Sequence, residues 1–372
     1  MIEQILGIVV AFLFSVVCGF ISIPMIMNFC ERRKLYDIPN TRKIHKNAIP
    51  RLGGLSFLPS MLLAFLCVLF VMNGSDGYER VTMNIWSLYF MVSLLLIYGL
   101  GMIDDFIGLG AVQKFAVQII AASLLPLAGL YLNDLYGLFG INDIPYWIGA
   151  PLTVFVIVFV SNTINLIDGI DGLSACITFI ALTGFLICFA REGLWLYATL
   201  IGGLMGVLIP FLYFNLFGDA SKNRKIFMGD SGSLTLGFIM GFLTVKFAMD
   251  NPNVMPFRKD SLLLAFTLLL VPVFDTTRVI LVRILHRQPI FRSDKNHIHH
   301  KLMRTGLSQR QTLFTILVMD LAFIVLNQLL YSVCAATYVL VIDVVLWLVM
   351  NYCINRIIIR RGALPYCYEK TV

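Results

Sequence analysis

Long apolar blocks alternate along this chain with short polar clusters. A helix needs about 20 apolar residues to cross the hydrocarbon core of a bilayer. Eleven blocks reach that length, near 4–29, 52–72, 83–103, 113–133, 146–163, 173–190, 194–214, 231–249, 261–285, 311–333 and 336–356. The pattern predicts an all-α fold, a polytopic membrane helical bundle of about 11 transmembrane helices. Two separations rest on short links, Arg191-Glu192-Gly193 and the stretch from Tyr331 to Ala336. The first block, Ile5 to Phe29, is too long for the apolar region of a signal peptide and lacks a basic leader and a small-residue cleavage site. It reads as a retained first span.

Composition agrees. Hydrophobic residues make up 59% and charged residues only 13%, with a mean hydropathy of +0.87. Soluble domains carry about 25% charged residues, and a chain this poor in charge could not cover a water-facing surface. The eight cysteines sit mostly inside apolar runs and have no zinc-ligand spacing.

Lysine and arginine fix the expected orientation. One set of inter-block loops holds 22 of them, including Arg32, Arg51, Lys114, Lys225, Arg283, Lys301 and Arg360. The other set holds four, Arg80, Arg191, Arg258 and Lys259. The basic side is expected to be cytoplasmic, with a periplasmic N-terminus and a cytoplasmic C-terminus. Much of the net charge of +7 is this topology signal, and no nucleic-acid-binding motif accompanies it. No nucleic-acid partner is expected.

The two sets of loops differ in kind. The outer ones, Asn73 to Gly77, Asn133-Asp134 and Asp250 to Asn253, are turn chemistry. The inner ones concentrate carboxylates, histidines and glycines. That one-sidedness favours an enzyme over a transporter, whose polar residues would gather near the midplane.

Five inner clusters carry candidate chemistry. The third block ends in Asp104-Asp105. Acids at a helix C-terminus oppose its dipole, so a cation or a lysine such as Lys114 is expected nearby. The fifth block runs into Asn162-Thr163-Ile164-Asn165-Leu166-Ile167-Asp168-Gly169-Ile170-Asp171-Gly172. There Asp168 and Asp171 are three apart and would share a face on a helix or tight turn. An EF-hand is the rival, but its closing glutamate is absent. Phe227-Met228-Gly229-Asp230-Ser231-Gly232-Ser233 places Asp230 at a helix start, where an acid can cap and the turn can take a phosphate. Asp294 to Lys301 holds His297, His299 and His300, a surface suited to phosphate or sugar rather than a zinc pattern. Arg42 to Gly54 is basic, contains His45 and Arg51, and ends in a glycine pair. The plain alternatives are solvated acids, an Asp-Gly turn, a capping aspartate, a polar loop and membrane anchoring respectively.

Taken in order, these clusters resemble the polyprenyl-phosphate N-acetylhexosamine-1-phosphate transferase family. The motifs are Arg42 to His45 with Pro50 to Gly54, then Asp104-Asp105, Asn162 to Gly172, Phe227 to Ser233, and His297-Ile298-His299-His300. The chain is similar to the UDP-N-acetylglucosamine branch. The phospho-N-acetylmuramoyl-pentapeptide branch typically has three consecutive histidines where this chain has His297-Ile298-His299-His300, and a lysine where it has Gly108. The likeness spans about 42–311 of a single domain, 1–372. Two further spans near 311–356 and a tail at 357–372 complete it.

What the resemblance implies is transfer of N-acetylglucosamine-1-phosphate from UDP-N-acetylglucosamine to undecaprenyl (polyprenyl) phosphate in a bacterial inner membrane, with release of UMP. Magnesium, or manganese, is the implied cofactor, with Asp230 and Asp168 as ligands. Asp104, Asp105 and Lys114 are the implied catalytic residues. His45, Arg51, Asn165, Asp168, Asp171, His297, His299 and His300 are implied to bind substrate, and a homodimer is plausible. Direct attack and an aspartyl-phosphate route both fit these residues. The rivals are the muramoyl-pentapeptide branch, a transporter with metal-independent flux and no UMP release, and a nucleotide-binding receptor without turnover.

Overall fold

The computed structural model describes residues 2–37, 49–73, 85–251, 255, 257–290 and 294–366. Its helices are α1 (Ile2–Arg33), α2 (Phe57–Asn73), α3 (Ile85–Ile107), α4 (Ala111–Leu127), α5 (Tyr146–Ile167), α6 (Leu173–Arg191) and α7 (Trp195–Leu216). There follow α8 (Asp230–Ala248), α9 (Ser261–Thr267), α10 (Leu270–Leu285), α11 (Ile298–Arg304), α12 (Gln309–Leu330) and α13 (Ala336–Arg360). Among the described residues nine helices are long and apolar enough to span a bilayer. The chain is an all-α, multi-pass membrane protein.

The other two expected spans differ from a plain rod. The block expected at 113–133 yields α4, a helix of 17 residues, roughly 25 Å long at 1.5 Å per residue. Beyond Gly129, at φ +84°, the chain leaves the helix. The block expected at 261–285 breaks between α9 and α10 with a bend of 74°. Pro272, in the first turn of α10, has no N–H to offer the preceding turn. A proline is accommodated without loss at a helix start, whereas in a helix interior it removes a hydrogen bond and favours a kink or break.

Among the described residues there are also two antiparallel strand pairs. β1 (Tyr36–Asp37) pairs with β2 (Ile49–Pro50). β3 (Asp134–Leu138) pairs with β4 (Ile141–Asp143). The second lies where sequence suggested only a short turn. Its backbone needs positive φ at Tyr136 and Phe139, residue types that do not advertise that conformation. The Phe139 N–H donates to Thr337 Oγ1 at 2.8 Å, tying the hairpin to the first turn of α13.

At the centre stands α8, in which every residue from Ser231 to Ala248 is buried. Small residues make this placement possible. A Cβ at Gly237 would lie 2.6 Å from Ser161 Cα of α5, and one at Gly241 2.9 Å from Ile157 Cα. The Ser161 hydroxyl donates to the Leu234 carbonyl at 3.0 Å. Glycines four apart let two helix backbones approach where hydrocarbon solvent gives no hydrophobic drive. The same device brings α1 to α7, where a Cβ at Gly206 would meet the Phe12 carbonyl at 2.3 Å.

At one end, the loop leading into α8 is laid beside the residues before α2. The amides of Gly53 and Gly54 donate to the carbonyls of Phe227 and Met228 at 2.9 and 2.7 Å, and Phe227 N–H to the Pro50 carbonyl at 2.7 Å. These bonds fix where Asp230 begins its helix.

Because the α5–α8 approach has no spare room, Gly237→Val is expected to cost on the order of 1–3 kcal/mol or more by overpacking. Gly99→Ala, whose Cβ meets nothing within 4 Å, is expected to be neutral or stabilising by up to about 1 kcal/mol. Thermal unfolding of the two detergent-solubilised variants checks this.

Candidate active site

Four elements converge at that end of the bundle: the last turn of α3, the first of α4, the loop after α5 and the start of α8. The paired acids of α3 take different roles. Both oxygens of Asp105 accept from the N-terminus of α8, Oδ1 from Asp230 N–H at 2.8 Å and Oδ2 from Ser231 N–H at 2.9 Å. A helix start leaves such donors without intrahelical partners, and Asp105 satisfies two of them from another helix. Gly229, at φ +75°, has no room for a side chain: its Cβ would touch the Asp105 carboxylate and the Arg51 carbonyl. Arg51 in turn donates through Nη2 to the Asp105 backbone carbonyl at 2.5 Å.

Asp104 is held otherwise. Its Oδ1 accepts from Leu109 N–H at 2.6 Å and its Oδ2 from Lys114 Nζ at 2.5 Å. Lys114 also bridges to Asp230 Oδ2 at 2.8 Å. Asp230 Oδ1 accepts from Asn165 Nδ2 at 2.7 Å, and that amide lies 2.8 Å from Ser233 Oγ. Thus Lys114 ties α3 to α8, and Asn165 ties α5 to α8.

The two acids after α5 diverge. Residues 168–172 form a loop, not a helix. Asp171 Oδ2 accepts from Lys225 Nζ at 2.6 Å, pinning the loop to the segment before α8. Asp168 is open to solvent on one side and desolvated by the protein around it. Those surroundings push its carboxyl up to about 7, with the charges of Asp230, Asp171 and Asp105 adding in that order.

The histidine cluster joins the same end. His299 packs so closely on Gly169 that a Cβ there would lie 2.2 Å from Nε2. His297 Nδ1 donates to Asp275 Oδ2 at 2.9 Å, and the Ile298 N–H reaches both Asp275 oxygens at 3.1 Å. Arg278 closes the group, Nη2 lying 2.6 Å from Asp275 Oδ1 and from the Asn296 carbonyl. The His299 and His300 rings lie tilted by 47° with centroids 4.2 Å apart. Burial holds the His299 ring well below its ordinary pKa, with His300 and His297 adding. Burial likewise lowers His300 to about 4, with His297 and Arg304 adding. At neutral pH these two rings act as hydrogen-bonding groups, not cations. Buried nitrogens without partners remain at His297 Nε2 and on both sides of His299.

Asp104, Asp105, Lys114, Asn165, Asp168, Asp230 and Arg51 thus share one neighbourhood. His297, His299 and His300 border it across Gly169, and Asp171 serves it through Lys225. His45 lies outside the described residues. Sequence reasoning passed over Asp275 and Arg278. They were legible as an acid and a base one helical turn apart inside an apolar block, an expensive placement that marks function by default. It also passed over Asn215, whose amide accepts from Gly172 N–H at 2.6 Å and donates to the Ile226 carbonyl at 2.8 Å.

The donor set suits a hard divalent cation. Among the described residues no three His, Cys, Asp or Glu side chains are grouped to hold a metal ion. Magnesium instead takes one or two carboxylates and fills its remaining positions with water and phosphate oxygens. Asp230 and the solvent-accessible Asp168, whose carboxyl is raised by the surrounding protein first and by neighbouring acids second, fit that role.

A multi-pass helical membrane protein with a lysine-bridged acidic site at one end of its bundle is the class these features define. Comparison with known proteins narrows it. The family model described as glycosyl transferase family 4 matches residues 87–248. A protein of Bacillus subtilis named as a probable undecaprenyl-phosphate N-acetylglucosaminyl 1-phosphate transferase is 32% identical, over 86% of this chain and 84% of its own. An undecaprenyl-phosphate alpha-N-acetylglucosaminyl 1-phosphate transferase of Yersinia pestis is 29% identical, over 87% and 84%. A decaprenyl-phosphate N-acetylglucosaminephosphotransferase of Mycobacterium leprae is 31% identical, over 77% and 74%. The chain belongs to glycosyl transferase family 4.

The raised Asp168 sets a signed prediction. A carboxyl whose folded pKa exceeds its unfolded value destabilises the fold as pH rises from the unfolded value to the folded one. In EDTA, Asp168→Asn is therefore expected to raise the unfolding midpoint at pH 8, with the gain shrinking toward pH 4. Thermal scans across that range read it. An equal gain at both pH values would show that the raised Asp168 carboxyl is not the cause.

Proposed function

We propose that the protein transfers N-acetylglucosamine-1-phosphate from UDP-N-acetylglucosamine to undecaprenyl, or a similar polyprenyl, phosphate, releasing UMP. The names of the relatives support the donor and the lipid. The observation that carries the chemistry is the bridge from Lys114 to Asp104 and Asp230, beside an open Asp168. The acceptor is a phosphate and the donor a pyrophosphate, so two anions must meet. Catalysis then rests on positive charge and positioning.

An ammonium has three donors, and Lys114 spends two on Asp104 and Asp230. The third is free, among the described residues, to take an oxygen of the incoming lipid phosphate. Asp104 holds that lysine at the mouth, while Asp105 keeps the α8 terminus in register. A magnesium (or manganese) ion held by Asp230 and Asp168 supplies charge neutralisation on the phosphates when bound. Asn165 fixes the Asp230 carboxylate. The neutral His299 and His300 and the buried His297 offer hydrogen bonds to the sugar or pyrophosphate. An acceptor oxygen attacks the β-phosphorus, the bond from that phosphorus to the bridging oxygen breaks, and UMP leaves with that oxygen.

An apolar groove of about 660 Å³ between α4 and α5 fits the polyprenyl chain. It starts at Phe115, next to Lys114, and passes Ile119, Val158 and Phe155 toward Leu127 and Tyr146. A lipid lying there presents its phosphate to the lysine. The site lies at the end of the bundle where the basic loops gather, which supports a cytoplasmic active site in a bacterial inner membrane. Assembly as a homodimer is carried by the resemblance alone.

Purified protein given labelled UDP-N-acetylglucosamine and undecaprenyl phosphate is expected to form labelled lipid and UMP, and EDTA to stop both. Asp104→Asn and Asp230→Asn are each expected to lower UMP release by about 10²–10³ while inserting normally. Turnover only with the UDP-muramoyl-pentapeptide donor would move the protein to the other branch. Full turnover in both variants would remove the assignment.

A further inference from the structure

The histidine helix α11 has its back to the last span, and that contact plays no part in the chemistry above. Lys301, the residue after His300, is fully buried. Its Nζ donates to Asn351 Oδ1 of α13 at 3.0 Å. Asn351 is itself buried, and its amide nitrogen donates to the Trp347 carbonyl at 3.0 Å. That bond turns the carbonyl oxygen toward Lys301. No carboxylate lies within ion-pair distance of Lys301 among the described residues.

The chain beyond α13 adds a strap. Lys301 Nζ sits 5.7 Å from the Tyr366 ring centroid, Tyr366 lies 5.5 Å from His286, and Arg304 Nη1 donates to the Leu364 carbonyl at 3.1 Å. A helix of seven residues is too short to hold itself in place. Its front carries the histidines and meets Gly169. Its back is fixed by Asn351 within and by the strap outside.

We propose that Asn351 is a positioning residue for the donor site: through Lys301, α13 sets the depth at which α11 presents His299 and His300 to the nucleotide sugar. The inference rests on reading this end of the bundle as a nucleotide-sugar site. It makes the C-terminal spans part of donor recognition, although the family match at 87–248 ends before them.

The physics supplies a test that a purely structural role would not pass. Removing one partner strands a buried polar group, whereas replacing both with apolar groups of similar shape is nearly neutral. The full-length chain in detergent, with UDP-N-acetylglucosamine and undecaprenyl phosphate, is compared with Asn351→Leu, Lys301→Met and the double variant. Each single change is expected to raise KM for the nucleotide sugar about tenfold, leaving kcat and the lipid KM within about twofold. The double variant is expected to recover to within about threefold of the parent. Amide exchange over residues 294–305 should quicken in the single variants and return in the double. A fall in kcat at constant KM, or a double variant no better than the singles, would overturn the proposal. If the parent fails to use UDP-N-acetylglucosamine, the functional reading falls instead. Exchange then decides the brace alone, and unchanged protection in Asn351→Leu sinks it.

Discussion

A carboxylate at the end of an apolar helix must find donors within the protein, and Asp105 finds them at the start of α8. Most of the site depends on that junction. By accepting from Asp230 and Ser231, Asp105 sets α8 directly under α3, which leaves Asp104 and Asp230 close enough for one lysine to span. The glycines at 229, 237 and 241 remove the bulk that would keep these backbones apart. Acids, lysine and glycines therefore form one device, in which close backbone approach makes the polar cluster and the polar cluster fixes the helix ends.

The cluster carries more acid than base. Lys114 is shared, Lys225 is taken by Asp171, and Asp168 is left among three other acids. Such an arrangement is poised to bind positive charge and, through it, phosphate. Around it the neutral histidines form a polar surface and the α4–α5 groove an apolar one, which under the proposed function would receive the nucleotide sugar and the lipid. The meeting point is Lys114.

The bundle itself was legible because apolar block length is set by membrane thickness. The clustering of the candidate site was largely legible as well, because ionisable residues in or beside apolar blocks are costly and stand out. What stayed hidden was partner choice. Asp104 and Asp105 are adjacent and alike in sequence, but their different directions from α3 give one to Lys114 and the other to a helix terminus. Asp168 and Asp171 looked like a facing pair, and the loop turned Asp171 to Lys225. Three histidines in four residues stood out, but that burial would keep His299 and His300 neutral was not legible. The β3–β4 hairpin was invisible because its turns use tyrosine and phenylalanine at positive φ. The break at 268–269 was signalled by Pro272, and Asp275 and Arg278 by their place in an apolar block.

The central proposal is that the start of α8 and the loop after α5 bring Asp230 and Asp168 together to hold a divalent ion on the donor phosphates. Electron paramagnetic resonance of manganese titrated into the full-length protein with UDP-N-acetylglucosamine tests it most directly. The account predicts about one nucleotide-dependent bound ion per chain, lost in Asp230→Asn and weakened in Asp168→Asn. Equal binding in parent and variants, or none in the parent, would contradict it.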